Sequence, residues 1–286
     1  MINFISEYIS AVFHFGDNER ITEINKSLLY DFICWRKIYC MNIRGDCKDS
    51  IEFYNKKFKK AKSESNIFSD LSLRKKYEAL LMTGGAKEAE EQIKRFLRTY
   101  KREDKKYFEF MNMLGTIYGH RGDFKEALEI YKEIETKNKN KGDLIDCYNH
   151  LGICYAIIGE LNKAEEYFEK YIMICRKKNI LLNLATGYVN YANIYYYKND
   201  LKNAIKYLKK AEKLNERLGN KTAIITISGN LSLFLHKIGR KKEAIEEAKK
   251  YLTRGKEWKN YRGLGILFLH LGSIPVSYTH LTLPTK

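Results

Sequence analysis

The sequence predicts an all-α protein, a solenoid of antiparallel helix pairs, and three observations support this fold class. First, 44% of its 286 residues are hydrophobic and 30% are charged, a composition typical of folded globular proteins. Second, the chain has no proline before Pro275, so no proline interrupts long helices upstream. Third, a pattern of small residues recurs at intervals of 37, 40 and 40 residues, as expected of a repeat architecture.

Four segments align on this pattern. They are LGTIYGHRGDFKEALEIY (114–131), LGICYAIIGELNKAEEYF (151–168), YANIYYYKNDLKNAIKYL (191–208) and LSLFLHKIGRKKEAIEEA (231–248). Thirteen residues after the first position, every copy has an alanine: Ala127, Ala164, Ala204 and Ala244. Eight residues after that position, every copy has a residue that accepts a left-handed backbone: Gly122, Gly159, Asn199 and Gly239.

Both features have a mechanical reason. Glycine and asparagine reach positive φ at low cost, so they end one helix and begin a tight turn. The alanines, together with Gly115, Gly152, Ala192 and Ser232 in the preceding helix, let two antiparallel helices cross at close range. A larger side chain at these positions costs about 1–3 kcal/mol through overpacking. Each copy therefore predicts one helix, a tight turn and a second helix.

These residues resemble the tetratricopeptide repeat, a helix-turn-helix unit with large, Leu-Gly, Tyr, Ala and Phe positions in order. One copy matches almost position by position, with Tyr148, Leu151, Gly152, Tyr155, Gly159, Ala164 and Phe168. The closing proline of the family pattern is missing, and the spacing exceeds the family's 34 residues. The resemblance implies a right-handed superhelix whose first helices line a concave groove.

The repeat pattern extends beyond these four copies. Weaker copies place Gly84 and Ala89, and further upstream Gly45 and Ser50, in phase. We therefore expect an array over residues 31–274, with about six units and the start of another. Residues 1–30 contain apolar residues at helical spacing and no cleavage site, which predicts an N-terminal packing helix and no signal peptide.

The last stretch, GSIPVSYTHLTLPTK, departs from this pattern. Leu271 and Gly272 open a further copy, but Pro284 stands where the next alanine is expected, and proline breaks a helix interior. The segment VSYTHL also resembles a translated sequencing adapter. We therefore expect residues 275–286 to be a non-native tail; a divergent natural tail is the alternative.

No motif for catalysis or cofactor binding is present. The sequence has no phosphate-binding glycine loop, nucleophile elbow or zinc-protease helix. Its six cysteines form no C-x-x-C pair and its six histidines have no ligand spacing, so we expect reduced core thiols, no metal and no cofactor. No run of apolar residues is long enough for a membrane span. The sequence predicts a protein that is not an enzyme.

The candidate site is a set of polar and aromatic residues at groove positions of the first helices. Asparagine carries a donor and an acceptor and can pair with any peptide bond, yet helix interiors disfavour it. Its clustering in the repeat frame shows only that these positions share a face; the resemblance implies that they point into the groove, where they would clamp a peptide backbone. A solvated row of asparagines is the alternative. With neighbouring side chains that could select sequence, the predicted site comprises Asn112, Asn149, His150, Asn190, Asn193, Tyr196, Tyr197, Asn230, His236 and Lys237.

The resemblance implies a cytoplasmic scaffold or receptor that binds a protein or peptide segment. The net charge of +17 favours an acidic partner, although the lysines are spread along the chain. Repeats of this length are also similar to those of intracellular bacterial peptide receptors. The alternative is the sensor half of a larger transcription regulator or kinase. Nucleic acid is the less favoured partner, no membrane contact is expected, and the oligomeric state stays open.

Overall fold

The computed structural model describes residues 31–39, 41–42, 46–58, 67–102, 104–140 and 144–257. Residues 31–39 and 41–42 are helical. The helices that follow are α1 (Cys47–Phe58), α2 (Ile67–Met82), α3 (Ala86–Leu97), α4 (Lys105–Arg121), α5 (Phe124–Lys137), α6 (Ile145–Ile158), α7 (Leu161–Lys177), α8 (Leu181–Tyr197), α9 (Leu201–Arg217), α10 (Lys221–Lys237) and α11 (Lys241–Glu257). The predicted N-terminal helix at 1–30 and the tail at 275–286 lie outside the described residues.

The described residues divide into two compact units, one up to Asp123 and one from Phe124 onward. In the first unit, α1 packs against α2 and α3 packs against α4. Ala89 and Ser50, which the weaker repeats place in phase, are fully buried. Gly84 has a φ of 82°, so it makes the left-handed turn that its repeat position predicts.

In the second unit, helices pair in chain order: α6 with α7, α8 with α9, and α10 with α11. We call α6, α8 and α10 the first helices and α7, α9 and α11 the second helices. The repeat alanines Ala164, Ala204 and Ala244 are buried, as the close crossing of paired helices requires. The predicted fold class, an all-α solenoid of tetratricopeptide-like helix pairs, is confirmed.

The turns inside the pairs have the predicted left-handed residues. Gly159, Asn199 and Gly239 have φ values of 92°, 62° and 83°. At the first of these turns, the Glu160 N–H donates to the Tyr155 carbonyl at 2.9 Å, which satisfies a carbonyl that the helix end would leave open. Each pair therefore folds back sharply after its first helix. Within the described residues, no helix is long and apolar enough to span a membrane.

Candidate functional site

The first helices of the second unit contact one another through polar and aromatic side chains. Asn190 Nδ2 on α8 donates to Asn149 Oδ1 on α6 at 2.8 Å. One repeat further on, the ring of Tyr196 on α8 stacks on Phe234 of α10, with centroids 4.7 Å apart. These contacts define one layer of the unit, and we call its outer surface the first-helix face.

The asparagine pair on this face joins two of the predicted site residues. Both side chains are half-buried, and within the described residues this is the one hydrogen bond that either side chain makes. The pair therefore retains the amide N–H groups of Asn149 and the amide oxygen of Asn190. One donor and one acceptor side by side match the C=O and N–H of an extended peptide.

A second cluster on the first-helix face combines aromatic rings with a cation. Lys237 Nζ lies 4.6 Å from the ring centroid of Tyr196 and donates to Tyr196 Oη at 2.5 Å. Tyr197 packs edge-on against Tyr196 with centroids 5.6 Å apart, and 64% of Tyr197 is exposed. Lys237 is also exposed. The cluster presents an aromatic surface beside a positive charge.

The structure does not gather the remaining predicted residues into either cluster. Asn193, Asn230 and His236 are half-buried on α8 and α10. The ring of His150 stacks on the buried Tyr131 of α5, with centroids 5.1 Å apart. Asn112 lies in the first unit, where its Nδ2 donates to the Phe108 carbonyl of its own helix at 3.2 Å.

Phe234 belongs to the aromatic cluster but is not among the predicted site residues. Phe234 sits at an apolar position of α10 and is buried, so its spacing indicated only a core residue. Its role depends on the stacking partner from the preceding repeat, Tyr196, 38 positions earlier in the sequence. The repeat pattern could have identified Phe234, because it places Phe234 and Tyr196 on neighbouring first helices.

The second helices carry a different kind of network. Tyr195 of α8 donates its hydroxyl to Glu165 Oε1 of α7 at 3.0 Å, and Lys198 forms an ion pair with the same carboxylate. Burial and this hydrogen bond raise the pKa of Tyr195 to about 12. Although burial acts to raise the pKa of Glu165, hydrogen bonds from Lys198 and Tyr195 hold it below its ordinary value. Glu165 is therefore ionised at neutral pH.

The cysteines of the second unit are buried thiols. Cys147, Cys154 and Cys175 are all buried, and burial raises the pKa of the Cys154 thiol to about 11. A neutral thiol is a poor nucleophile and a poor metal ligand. In the part of the chain that the structure describes, no group of three or more metal-ligating side chains is present. These residues therefore serve the core.

Comparison with known proteins agrees with the helix pairs. Tetratricopeptide-repeat models match residues 145–178 and 185–217 and, in a second variant, residues 109–134. The first two matches cover α6 to α9. This range includes α6 and α8, the two helices that form the asparagine pair. These stretches are therefore similar to tetratricopeptide repeats. Comparison with curated proteins gives no match.

Solved structures share the fold at low sequence identity. BtubC (BKLC) from P. vanneervenii aligns with a TM-score of 0.60 and 15% identity, covering 76% of this chain and 90% of that one. A Rap protein complexed with Competence and Sporulation Factor aligns with a TM-score of 0.55 and 15% identity, covering 83% and 80%. A Podosopora anserina protein of nearly identical TPR-like repeats aligns at 0.54 and 16%, covering 65% and 95%.

Proposed function

We propose that this protein is a non-catalytic scaffold or receptor that binds an extended protein or peptide segment on the first-helix face. The observation behind the proposal is the hydrogen-bonded pair of Asn149 and Asn190. The pair presents one donor group and one acceptor, so it can hold the backbone of a ligand whatever its side chains. A paired amide is also oriented in advance, which lowers the entropy lost on binding.

The aromatic cluster gives the face a means of selecting sequence. A ligand side chain can pack on the exposed ring of Tyr197, while a carboxylate can pair with Lys237, which already lies against Tyr196. The Asn pair then fixes the backbone and the cluster favours an acidic or aromatic residue further along. The Rap structure that aligns with this chain contains a bound factor, which supports a binding role for this type of scaffold.

The test begins with peptides selected from a random library against the full chain. The double variant Asn149→Ala/Asn190→Ala should weaken binding of a selected peptide by about 1–3 kcal/mol, the cost of lost hydrogen bonds in a partly buried site. Isothermal titration calorimetry measures the affinity, and circular dichroism checks that the fold is intact.

The matched control is Asn162→Ala. Asn162 is an exposed asparagine of α7, away from the first-helix face, and its loss should leave peptide affinity unchanged. Unchanged affinity in the double variant, or an equal loss in the control, would contradict the clamp.

A further inference from the structure

The outermost line of α9 consists of four lysines, Lys202, Lys206, Lys209 and Lys213. Their spacing of four, three and four residues places them on one helix face, and all four are exposed. The face lies opposite the buried Ala204, Leu208 and Ala211 of the same helix. We call these four residues the lysine crest. It extends over about 16 Å, at 1.5 Å per residue.

No lysine of the crest forms an ion pair with a carboxylate of the described residues. Asp200 and Glu247 lie close enough for their charges to interact with Lys202 and Lys209, respectively. The other carboxylates of α9, Glu212 and Glu216, are directed toward α11, where they lie near Lys250 and Arg254. Like charges four residues apart on a helix destabilise it, so a bound anion would relieve this repulsion.

The corresponding lines of the neighbouring second helices are not basic in this way. Forty residues earlier, α7 has Asn162, Glu166, Glu169 and Met173 at the same positions. Forty residues later, α11 has Lys242, Glu246, Lys249 and Thr253. Only α9 among these three helices lacks a carboxylate on this line. The positive strip is therefore one helix wide.

A cleft lies beside α9, on the side of the helix that carries Tyr207. It lies between α7 and α9 with a volume of about 520 Å³, and its lining includes Ile172, Met173 and Tyr207. Lys210 contacts one lining residue, with its Nζ 4.8 Å from the centroid of the Tyr207 ring. Met173 is 64% exposed at its edge. The same α7 side of the cleft also carries the charged residues Glu166, Glu169, Lys170 and Arg176.

We propose that the lysine crest and this cleft form a second docking surface, whose partner is an acidic amphipathic helix. The width of the strip favours this partner. Packed helices lie roughly 8–10 Å apart, so a nucleic-acid duplex or a membrane covering the crest would also meet Glu166, Glu169 and Glu246, which repel phosphate. A single amphipathic helix, about 10 Å in diameter, can place its carboxylates over the crest and direct only apolar side chains toward α7.

The spacing of the crest also fits a helix. Glutamates placed four, three and four residues apart on a partner helix have the same axial spacing as the lysines, in either orientation. Exposed ion pairs contribute little each, so affinity also requires burial of apolar surface. A leucine beside the glutamates would supply it by entering the cleft against Met173. This surface is separate from the first-helix face and does not depend on its proposed function.

The test uses two helix-stabilised peptides of about 20 residues, long enough to remain helical. The matched peptide has glutamates at the four-three-four spacing and a leucine beside them; the scrambled peptide has the same composition with its glutamates distributed around the helix. Fluorescence anisotropy with the full chain should show the matched peptide binding about tenfold more tightly. The binding should weaken as salt shortens the Debye length.

Two variants assign the binding to the crest. Lys206→Gln/Lys209→Gln should weaken the matched peptide about fivefold, the expected loss of two exposed ion pairs. Lys125→Gln/Lys139→Gln removes the same charge from exposed lysines elsewhere and should change affinity less than twofold. Equal binding of both peptides, or an equal loss in both variants, would overturn the proposal. Displacement of the matched peptide by duplex DNA or anionic vesicles at equal charge would overturn it as well.

Discussion

The two surfaces of the second unit differ in how they carry polar groups. Helix α8, a first helix, has no charged residue in its 17 positions, whereas α9, its partner, has six basic and two acidic residues. The polar groups of α8 are mainly amides and phenols, which form directed hydrogen bonds and stacked contacts. The charged groups of α9 are mostly long, flexible cations, which attract anionic groups electrostatically over longer distances. The same repeat can therefore offer two different kinds of recognition.

One layer of packing supports both surfaces. Tyr191 and Tyr195 point from α8 toward the second helices, where they donate to Glu169 and Glu165 at 3.1 and 3.0 Å. Asn190 and Tyr196, their sequence neighbours, point to the first-helix face. Because a helix turns about 100° per residue, adjacent positions of α8 face different sides of the unit. The difference between the surfaces is therefore encoded within single helices.

The largest predicted effect comes from the packing beneath both surfaces. A Cβ atom on Gly152 would lie 2.6 Å from Cε1 of Phe168, so Gly152→Ala should lower the free energy of unfolding by about 1–3 kcal/mol through overpacking. Urea denaturation measures this change. The matched control is Gly119→Ala in α4, where an added Cβ meets no atom within 4 Å.

The control should behave in the opposite way. Alanine is favoured over glycine in a helix by roughly 0.5–1 kcal/mol, so Gly119→Ala should be neutral or stabilising. If Gly152→Ala were as well tolerated, close crossing of α6 and α7 would not support the two surfaces.

A smaller predicted effect is the dependence of stability on pH through Glu165, whose carboxylate lies between α7 and α8. The pKa of Glu165 is lower in the folded protein than its ordinary value of 4.5. Its contribution to stability is therefore present above pH 4.5 and is lost as the pH falls through the lower, folded value. Glu165→Gln should reduce this loss on acidification by about 1 kcal/mol, the usual contribution of such a hydrogen bond. Denaturation curves collected from pH 6 to pH 3 measure it.

The control for this experiment is Glu246→Gln. Glu246 is exposed and has no ion pair among the described residues, so the variant should keep the acid response of the parent. An unchanged response in Glu165→Gln would show that the contacts of Tyr195 and Lys198 with this carboxylate do not stabilise the fold.

The sequence predicts the helix pairs well because their constraints are local. Gly159 and Asn199 must adopt positive φ, and Ala164 and Ala204 must be small because they are fully buried between helices. Such requirements restrict one position to a few residue types. The restriction recurs in every repeat, so it can be recognised in the sequence. The left-handed turns and buried alanines are confirmed at the predicted positions.

The site is less visible because it depends on contacts between repeats. Asn149 lies two residues before Leu151 and Asn190 one residue before Tyr191, so they occupy different positions of the repeat, yet their amides meet at 2.8 Å. His150 shares the helix face in the sequence pattern but stacks on Tyr131 of the preceding second helix. In the sequence, the crest lysines belong to a positive charge that is spread along the chain. They form a distinct strip only because the neighbouring helices carry acidic residues at the corresponding positions. Partners 20 to 40 residues away cannot be read from one helix.

The central claim is that the two surfaces bind separately, and one cross-comparison tests it directly. The double variants Asn149→Ala/Asn190→Ala and Lys206→Gln/Lys209→Gln are each titrated with a library-selected peptide and with the matched acidic helix. We expect the asparagine variant to lose affinity for the selected peptide alone, and the lysine variant for the acidic helix alone. If either variant weakened both ligands equally while remaining folded, the two surfaces would act as one site and the account would be wrong.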